Sequence, residues 1–167
     1  MNAPAAPPTG TPLGQTATVS GMGRHDHERR WADDWHAARE EAARPDADPN
    51  ALIEIVTGSP DGVAVEAAAA HPNCPSAVVT LIATDPAATT SARVGAARHP
   101  ALNDSMYERL ARDPDPTVRA AVAANRHAPP EVLDRLAGDP DDSVRAAVAA
   151  NEAAGNATRA AAALTTG

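Results

Sequence analysis

The sequence repeats itself at a nearly constant interval, and this repetition constrains the fold more than any other feature. At 113–125 the chain reads DPDPTVRAAVAAN, and 26 residues later, at 139–151, it reads DPDDSVRAAVAAN. Earlier copies read DPAATTSARVGAARH at 85–99, with two extra residues in the loop, and SPDGVAVEAAAAH at 59–71. Short units at a fixed period predict a solenoid, in which each unit buries its apolar face against its neighbours.

An apolar stretch precedes each copy and supplies the predicted core positions. The four stretches read ALIEIV, AVVTLI, SMYERL and EVLDRL. Their alignment makes three sets equivalent: Leu52, Val78, Met106, Val132; Ile53, Val79, Tyr107, Leu133; and Val56, Ile82, Leu110, Leu136. Pro49, Pro75 and Pro129 stand at the first turn, where the missing N–H of proline costs nothing. Each stretch is therefore predicted to be a short helix.

The second stretch of each unit is also predicted to be a short helix. Thr117 and Ser143 are its predicted N-caps in the last two units, because Ser and Thr hydroxyls accept from the first free N–H groups. Asn125 and Asn151 are its predicted ends, because Asn tolerates the left-handed conformation of many C-caps. The sequence leaves open whether this second piece is an α-helix or a 3₁₀-helix.

The composition agrees with thin stacked layers rather than one deep core. Alanine makes up about a quarter of the 167 residues, aromatic residues make up 2%, and Phe does not occur. Alanine favours helices and lets them approach closely. A chain of this kind buries many small contacts and few large ones.

These repeats resemble the leucine-rich repeat variant family, one of the HEAT- and armadillo-like α-solenoids. The resemblance rests on HPNCPSAVVTLIATDP, ARHPALNDSMYERLARDPDPTVRAAVAAN and APPEVLDRLAGDPDDSVRAAVAAN, and it covers roughly residues 49–154. It implies an all-α, right-handed superhelix of alternating short helices. The founding type of the family holds an iron–sulfur centre in an N-terminal cysteine cluster. Cys74 is the one cysteine of this chain, so no cofactor is expected here.

The sequence predicts three regions. Residues 1–24 are rich in Pro, Gly, Thr and Ala and are predicted to be a disordered tail. Residues 25–44 are predicted to form an amphipathic capping helix, and residues 45–167 the solenoid. The expected units are about 49–74, 75–102, 103–128 and 129–154, followed by a degenerate cap at 155–167.

The predicted capping helix carries both tryptophans of the chain. Its apolar residues share one helical face: Trp31, Trp35, Ala38 and Ala42. One position of the first helices reads Ile55, Leu81, Arg109 and Arg135 in successive units. Because exposed apolar patches are uncommon in soluble monomers, we expect the tryptophan face to cover Ile55 and Leu81. A homodimer or partner interface at the same place is the alternative.

Three arginines occupy the same position in successive units: Arg93, Arg119 and Arg145, with Val65 in the first unit. A parallel column consists of Asp85, Asp113 and Asp139. In one interpretation each Arg pairs with neighbouring Asp side chains or turn carbonyls and holds the units in register. In the other, the Arg column is a partner-binding stripe for an acidic segment, because guanidinium groups bind carboxylates bidentately. Phosphate binding is the third interpretation.

No catalytic residue, metal site or cofactor site is predicted. A His-x-His pair, His25 and His27, does not make a metal site by itself. His71 and His99 fall where later units have Asn, so a turn role is expected. Cys74 follows His71 by three residues, but no third catalytic group accompanies them, and Cys74 is expected to cap or pack.

Charge and hydropathy limit the classes of function. The net charge of −8 disfavours nucleic-acid and anionic-membrane binding. No stretch approaches transmembrane length and no export signal is recognisable, so a cytoplasmic protein is expected. The predicted function is a non-catalytic protein–protein interaction or scaffold module, with homodimerisation open. The alternative is a nucleic-acid-binding HEAT-like module that uses the Arg column.

Overall fold

The structure, a computed structural model, describes residues 35–164. These residues form ten α-helices, and no strand occurs among them. The helices are α1 (Trp35–Ala43), α2 (Pro49–Gly58), α3 (Gly62–Ala70), α4 (Ser76–Thr84), α5 (Thr90–Arg98), α6 (Asp104–Leu110), α7 (Pro116–Ala124), α8 (Pro130–Leu136), α9 (Asp142–Ala150) and α10 (Asn156–Leu164).

Four consecutive helix pairs make up the repeats: α2–α3, α4–α5, α6–α7 and α8–α9. The second helices, α3, α5, α7 and α9, pack on one another in that order. Their buried Ala and Val side chains join those of the first helices in one continuous core. The predicted all-helical solenoid is confirmed, and the second helix of every unit is an α-helix rather than a 3₁₀-helix. No helix between residues 35 and 164 is long and apolar enough to cross a membrane.

The first unit is shifted by one residue from the predicted alignment. Ile55 is fully buried, whereas Val56 is only half-buried. The reason is the helix start: the N-caps Asp48 and Pro75 lie 27 residues apart rather than the 26 that the alignment assumes. The outer position assigned to Ile55 therefore belongs to Glu54, and the alignment of Ile55 with the exposed Leu81 is wrong.

Helix α1 packs against α2 and α3 of the first unit. Ala38 and Ala42 face this contact and are buried. Arg39 donates from Nε to the Asp61 carboxylate at 2.6 Å, and its guanidinium carbon lies 4.8 Å from the Trp35 ring centroid. Small apolar residues and one ion pair therefore join α1 to the repeats.

The described part of the tryptophan face, from Trp35 onward, does not cover Leu81. Trp35 is 43% exposed and Leu81 is 63% exposed, so the predicted cover over Leu81 is wrong. Trp31, the predicted tail at 1–24 and the first part of the predicted capping helix lie outside the described residues.

In the last two units the second helices begin at aspartates rather than at the predicted Thr117 and Ser143. Asp115 accepts hydrogen bonds from the backbone N and the hydroxyl of Thr117, at 2.9 and 2.6 Å. Asp141 accepts in the same way from the backbone N of Ser143 at 2.9 Å. A carboxylate at the N-cap also complements the positive end of the helix dipole. Thr117 and Ser143 are donors to the cap, not the cap itself.

Asn125 and Asn151 end their helices as predicted, but not in the left-handed conformation. Their backbones are extended, with φ of −74° and −80°. The Nδ2 of Asn125 donates to the carbonyl oxygens of Ala97 at 2.9 Å and His99 at 3.3 Å. Asn151 repeats this bond pair one unit later, with Ala123 at 2.7 Å and Asn125 at 3.0 Å. These amides therefore tie each helix end to the unit before it.

Substitution of Asn125 by Ala is expected to destabilise the fold. The change leaves two carbonyl oxygens without their donor in a buried site, at a cost of about 2 kcal/mol in the free energy of unfolding. Urea denaturation measures this loss. Asn50→Ala, at an exposed position near the start of α2, is the control and should shift the midpoint little; equal losses in both variants would contradict the role of the Asn125 amide.

Candidate binding cleft

The arginines and aspartates of the two columns bond to each other across unit boundaries. Arg93 donates to both carboxylate oxygens of Asp113, from Nε at 2.8 Å and from Nη2 at 3.3 Å. Arg119 does the same to Asp139, at 2.8 and 2.9 Å. Each guanidinium belongs to one unit and each carboxylate to the next, so the pairs form a ladder along the solenoid, here called the Arg–Asp ladder.

The third nitrogen of each guanidinium binds a turn carbonyl. Arg93 donates from Nη1 to the Ala88 oxygen, and Arg119 donates to the Asp113 oxygen at 2.9 Å. Arg145 donates to the Asp139 oxygen at 2.7 Å and pairs with Asp142. The three arginine side chains are only 16%, 14% and 10% exposed. This geometry favours the register-holding interpretation, while their role as a partner-binding stripe stays a prediction.

The Arg–Asp ladder shifts the pKa of Asp139. Burial acts to raise the pKa of this carboxyl, but hydrogen bonds from Arg119 and from the Asp141 amide outweigh it and lower the pKa below its ordinary value. The bond to Asp139 in turn raises the pKa of Arg119, against the opposing effect of burial. Both groups are therefore charged at neutral pH, and the pair is intact there.

An open cleft of about 740 Å³ lies between the second and third units. Its apolar wall includes Ala83, Pro86, Leu110 and Pro114, and its charged wall includes Asp85, Arg93, Glu108, Arg109, Arg112 and Asp113. Asp85 and Pro86 begin the loop that is two residues longer than its counterparts. The turn at Asp85 and Pro86 therefore supplies one side of the cleft, and α6 supplies the other.

Arg109 brings a cation into the cleft that no carboxylate of residues 35–164 contacts. It donates from Nε to the Ala83 oxygen at 2.6 Å and from Nη2 to the Thr84 oxygen at 2.9 Å. These carbonyls end α4, where the helix dipole is negative. Among residues 35–164 no Asp or Glu pairs with Arg109. The guanidinium is thus positioned by backbone and retains a net positive charge.

Glu108 is shared by two cations at the rim of the cleft. Its Oε2 lies 2.7 Å from Nη1 of Arg135 and 2.8 Å from Nη2 of Arg112. The hydrogen bond from Arg135 lowers the pKa of Glu108, against a smaller opposing effect of desolvation. Arg112 is the most exposed of the three, at 64% for its side chain. It can exchange this rim contact for another carboxylate at little cost, because exposed ion pairs contribute at most about 1 kcal/mol.

Among the described residues outside the cleft, the cysteine and the histidine considered as chemical sites have structural roles. Cys74 is buried, and burial raises its thiol pKa to about 11, so the thiolate is disfavoured. Cys74 packs in the core just before α4, whereas Pro75 is the N-cap of that helix. His71 ends α3, and its Nδ1 accepts from the Asn73 N–H at 3.0 Å, which is a turn role as predicted. Its Nε2 also bonds to the Arg44 oxygen at 2.9 Å. No group of three His, Cys, Asp or Glu side chains between residues 35 and 164 could hold a metal.

His99 is expected to make stability fall as the pH is lowered. Burial lowers its pKa, and the carbonyls of Cys74 and His71 offset only part of this effect. A histidine whose folded pKa is depressed contributes stability that is present above its unfolded pKa of about 6.5 and is lost as the pH falls through the folded value. The urea midpoint should therefore drop between pH 7.5 and 5.

The matched variants for this pH effect are His99→Asn and His127→Asn. The first supplies the amide that later units use at this position, so the drop between pH 7.5 and 5 should shrink. The second changes an exposed histidine and should leave the drop as it is. An unchanged drop in His99→Asn would assign the effect to other groups.

Sequence reasoning found part of the cleft. Of the three predicted stripe residues, Arg93 lies in the cleft wall, whereas Arg119 and Arg145 continue the ladder away from it. It missed Arg109 and Arg112 as cleft residues. The signal that could have located the cleft is the change from Leu81 to Arg109 at one position of the first helices.

Comparison with known proteins supports the repeat assignment. Residues 116–141 match the sequence model of the family described as Leucine rich repeat variant, which confirms the resemblance over this span. The span covers α7, α8 and the turn that holds Asp139. A search of curated proteins and a search of solved structures gave no match. Repeats of this family are non-enzymatic modules that commonly serve in protein interaction.

Proposed function

We propose that this chain, a repeat protein with a leucine rich repeat variant unit, is a non-catalytic module that binds an acidic segment of a partner protein in the cleft. The observation that carries the proposal is the Arg109 guanidinium, which lies in the cleft wall without a carboxylate partner among residues 35–164. A partner carboxylate would supply the missing counter-charge, and bonds between Arg and carboxylate are strong and directional.

The predicted partner-binding stripe of Arg93, Arg119 and Arg145 is part of this proposal. Arg93 reaches the cleft, and its pairing with Asp113 presents the outer edge of the ion pair to a ligand. Arg119 and Arg145 would extend the contact along the ladder for a longer partner segment. Solenoids offer such extended surfaces without a deep core.

Two further parts of the proposal concern what the protein does not do and where it acts. A catalytic role would need a nucleophile activated by an acid or base in the cleft; Glu108 and Asp113 in its lining are each bonded to arginine, and the Ser105 hydroxyl is bonded to Asn103. The cytoplasmic location predicted from the sequence also stays part of the proposal.

The test is capture of a partner from native lysate with the full chain, repeated with Arg112→Glu. Arg112 is exposed, so its substitution should leave the fold intact while placing a negative charge in the cleft. We expect recovery of the captured protein to fall at least tenfold. Circular dichroism and a thermal melt confirm that the variant is folded.

Arg126→Glu is the matched control, because Arg126 is exposed and lies outside the cleft. It changes the net charge equally and should leave capture unchanged. Equal loss in both variants would show a general charge effect and contradict the cleft as the site. Recovery of nucleic acid would replace this proposal by the nucleic-acid alternative. In that case the logarithm of the binding constant should fall linearly with the logarithm of the salt concentration.

A further inference from the structure

The Arg–Asp ladder begins with a carboxylate that has no arginine. Arg93 reaches Asp113 and Arg119 reaches Asp139, each 20 residues downstream. The same offset places residue 65 opposite Asp85, and residue 65 is a buried valine, 5% exposed. No cation among residues 35–164 bonds to Asp85. The first place of the ladder is therefore vacant.

Asp85 is nevertheless held like its paired counterparts. Its Oδ1 accepts the backbone N–H two residues ahead, from Ala87 at 2.8 Å. The same turn bond occurs at 2.9 Å in Asp113 and in Asp139. In those two residues this bond fixes the carboxylate that receives the guanidinium. Asp85 thus keeps the orienting bond and has lost only the arginine.

Exposure separates Asp85 from the other two. Asp113 and Asp139 are 9% and 8% exposed, whereas Asp85 is exposed and lines the cleft. A ligand in the cleft can therefore reach it. The exposed Pro86 lies in the same wall, and its apolar ring suits the flat, weakly hydrated face of a guanidinium.

We infer that Asp85 receives an arginine side chain of the partner protein, in the bidentate manner of Arg93 on Asp113. This inference rests on the proposed function and adds to it the residue that the partner contributes. The cleft also holds the unbalanced Arg109, so the partner segment carries an arginine close to an acidic residue. Guanidinium is favoured over the ammonium of lysine because only guanidinium forms two parallel bonds to one carboxylate.

The experiment uses the full chain and three blocked seven-residue peptides made of Ala and Glu around a central residue. The central residue is arginine, lysine or citrulline, which has the shape of arginine without its charge. We expect the arginine peptide to bind at least tenfold more tightly than the citrulline peptide, by fluorescence anisotropy. Asp85→Asn should abolish this difference, because the amide keeps the turn bond but not the charge. Glu152→Gln, an exposed change outside the cleft, should preserve it.

Three other outcomes would overturn the inference. Equal binding of the arginine and citrulline peptides, weakened by Arg112→Glu, would remove the role of Asp85 while the proposed function stands. Absence of binding by every peptide would remove it as well, and partner capture would then decide the proposed function separately. Arg29 and Arg30 belong to the N-terminal part of the chain, outside the described residues. Binding that appears only after Arg29→Gln and Arg30→Gln would make the occupant an arginine of this chain itself.

Discussion

Gly95→Ala is expected to lower the free energy of unfolding by about 3 kcal/mol, from overpacking between two helix backbones. Gly95 lies in α5 where this helix crosses α3. A Cβ added there would overlap the carbonyl oxygen of Glu66 and would lie 2.7 Å from the Cβ of Ala69. Both neighbours belong to a packed helix and cannot turn away as a long side chain could. The clash therefore exceeds the gain of up to about 1 kcal/mol that Ala has over Gly in a helix.

Gly138→Ala is the control for this prediction. A Cβ at Gly138 would meet the Arg135 oxygen at 3.8 Å, which is ordinary contact. The change should be neutral or stabilise slightly, because it reduces the freedom of the unfolded chain. Thermal melts and urea denaturation of both variants measure the difference. A Gly95→Ala protein as stable as the original would mean that α3 and α5 are farther apart than described.

Asp139→Asn is expected to cost roughly 3 kcal/mol, since it removes one partner of a nearly buried ion pair and leaves the other without its counter-charge. Asn keeps the oxygen that accepts from the Asp141 amide, so the change isolates the bond to Arg119. Asp85→Asn is the matched control, because the same turn bond is present there and the arginine is absent. That variant should lose less than about 0.5 kcal/mol. Equal losses of stability in Asp139→Asn and Asp85→Asn would contradict a stabilising role of the Arg–Asp ladder.

The same pair of variants predicts a difference in acid stability. A carboxyl whose folded pKa is lowered contributes stability that is present above its unfolded value, about 3.9. That contribution disappears as the pH falls through the folded value, and the pKa of Asp139 is lowered in this way. The original protein and Asp85→Asn should therefore lose stability below pH 4 more steeply than Asp139→Asn.

The sequence predicted the fold well because the repeat itself carries the information. Equivalent positions such as Tyr107 and Leu133 are buried as the alignment requires. Apolar residues at a constant interval leave few arrangements other than stacked helix pairs. The errors arose where the period changes, because a one-residue offset in the first unit moved Ile55 from the surface to the core.

Local bonding was harder to predict because several residue types can make the same bond. Asp115 outcompetes Thr117 as N-cap, since a carboxylate accepts from both the amide and the hydroxyl. The sequence predicted a role for the backbone of Asn125 in the left-handed conformation, whereas the structure shows that its side chain bonds to the preceding unit. The cleft lies between two packed units, and Arg109 can be assigned to it only after the helices are placed. Pairwise contacts of this kind are not encoded in spacing alone.

The central claim is that a partner binds in the cleft, and hydrogen–deuterium exchange of the chain with and without its captured partner tests it most directly. We predict slower exchange in the partner-bound chain at the loop 85–89 and in α6, where the two walls of the cleft lie. The C-terminal end of α7 and the turn after it, at 124–127, should exchange at the same rate in both samples. Slower exchange only at 124–127, with the loop and α6 unchanged, would contradict partner binding in the cleft.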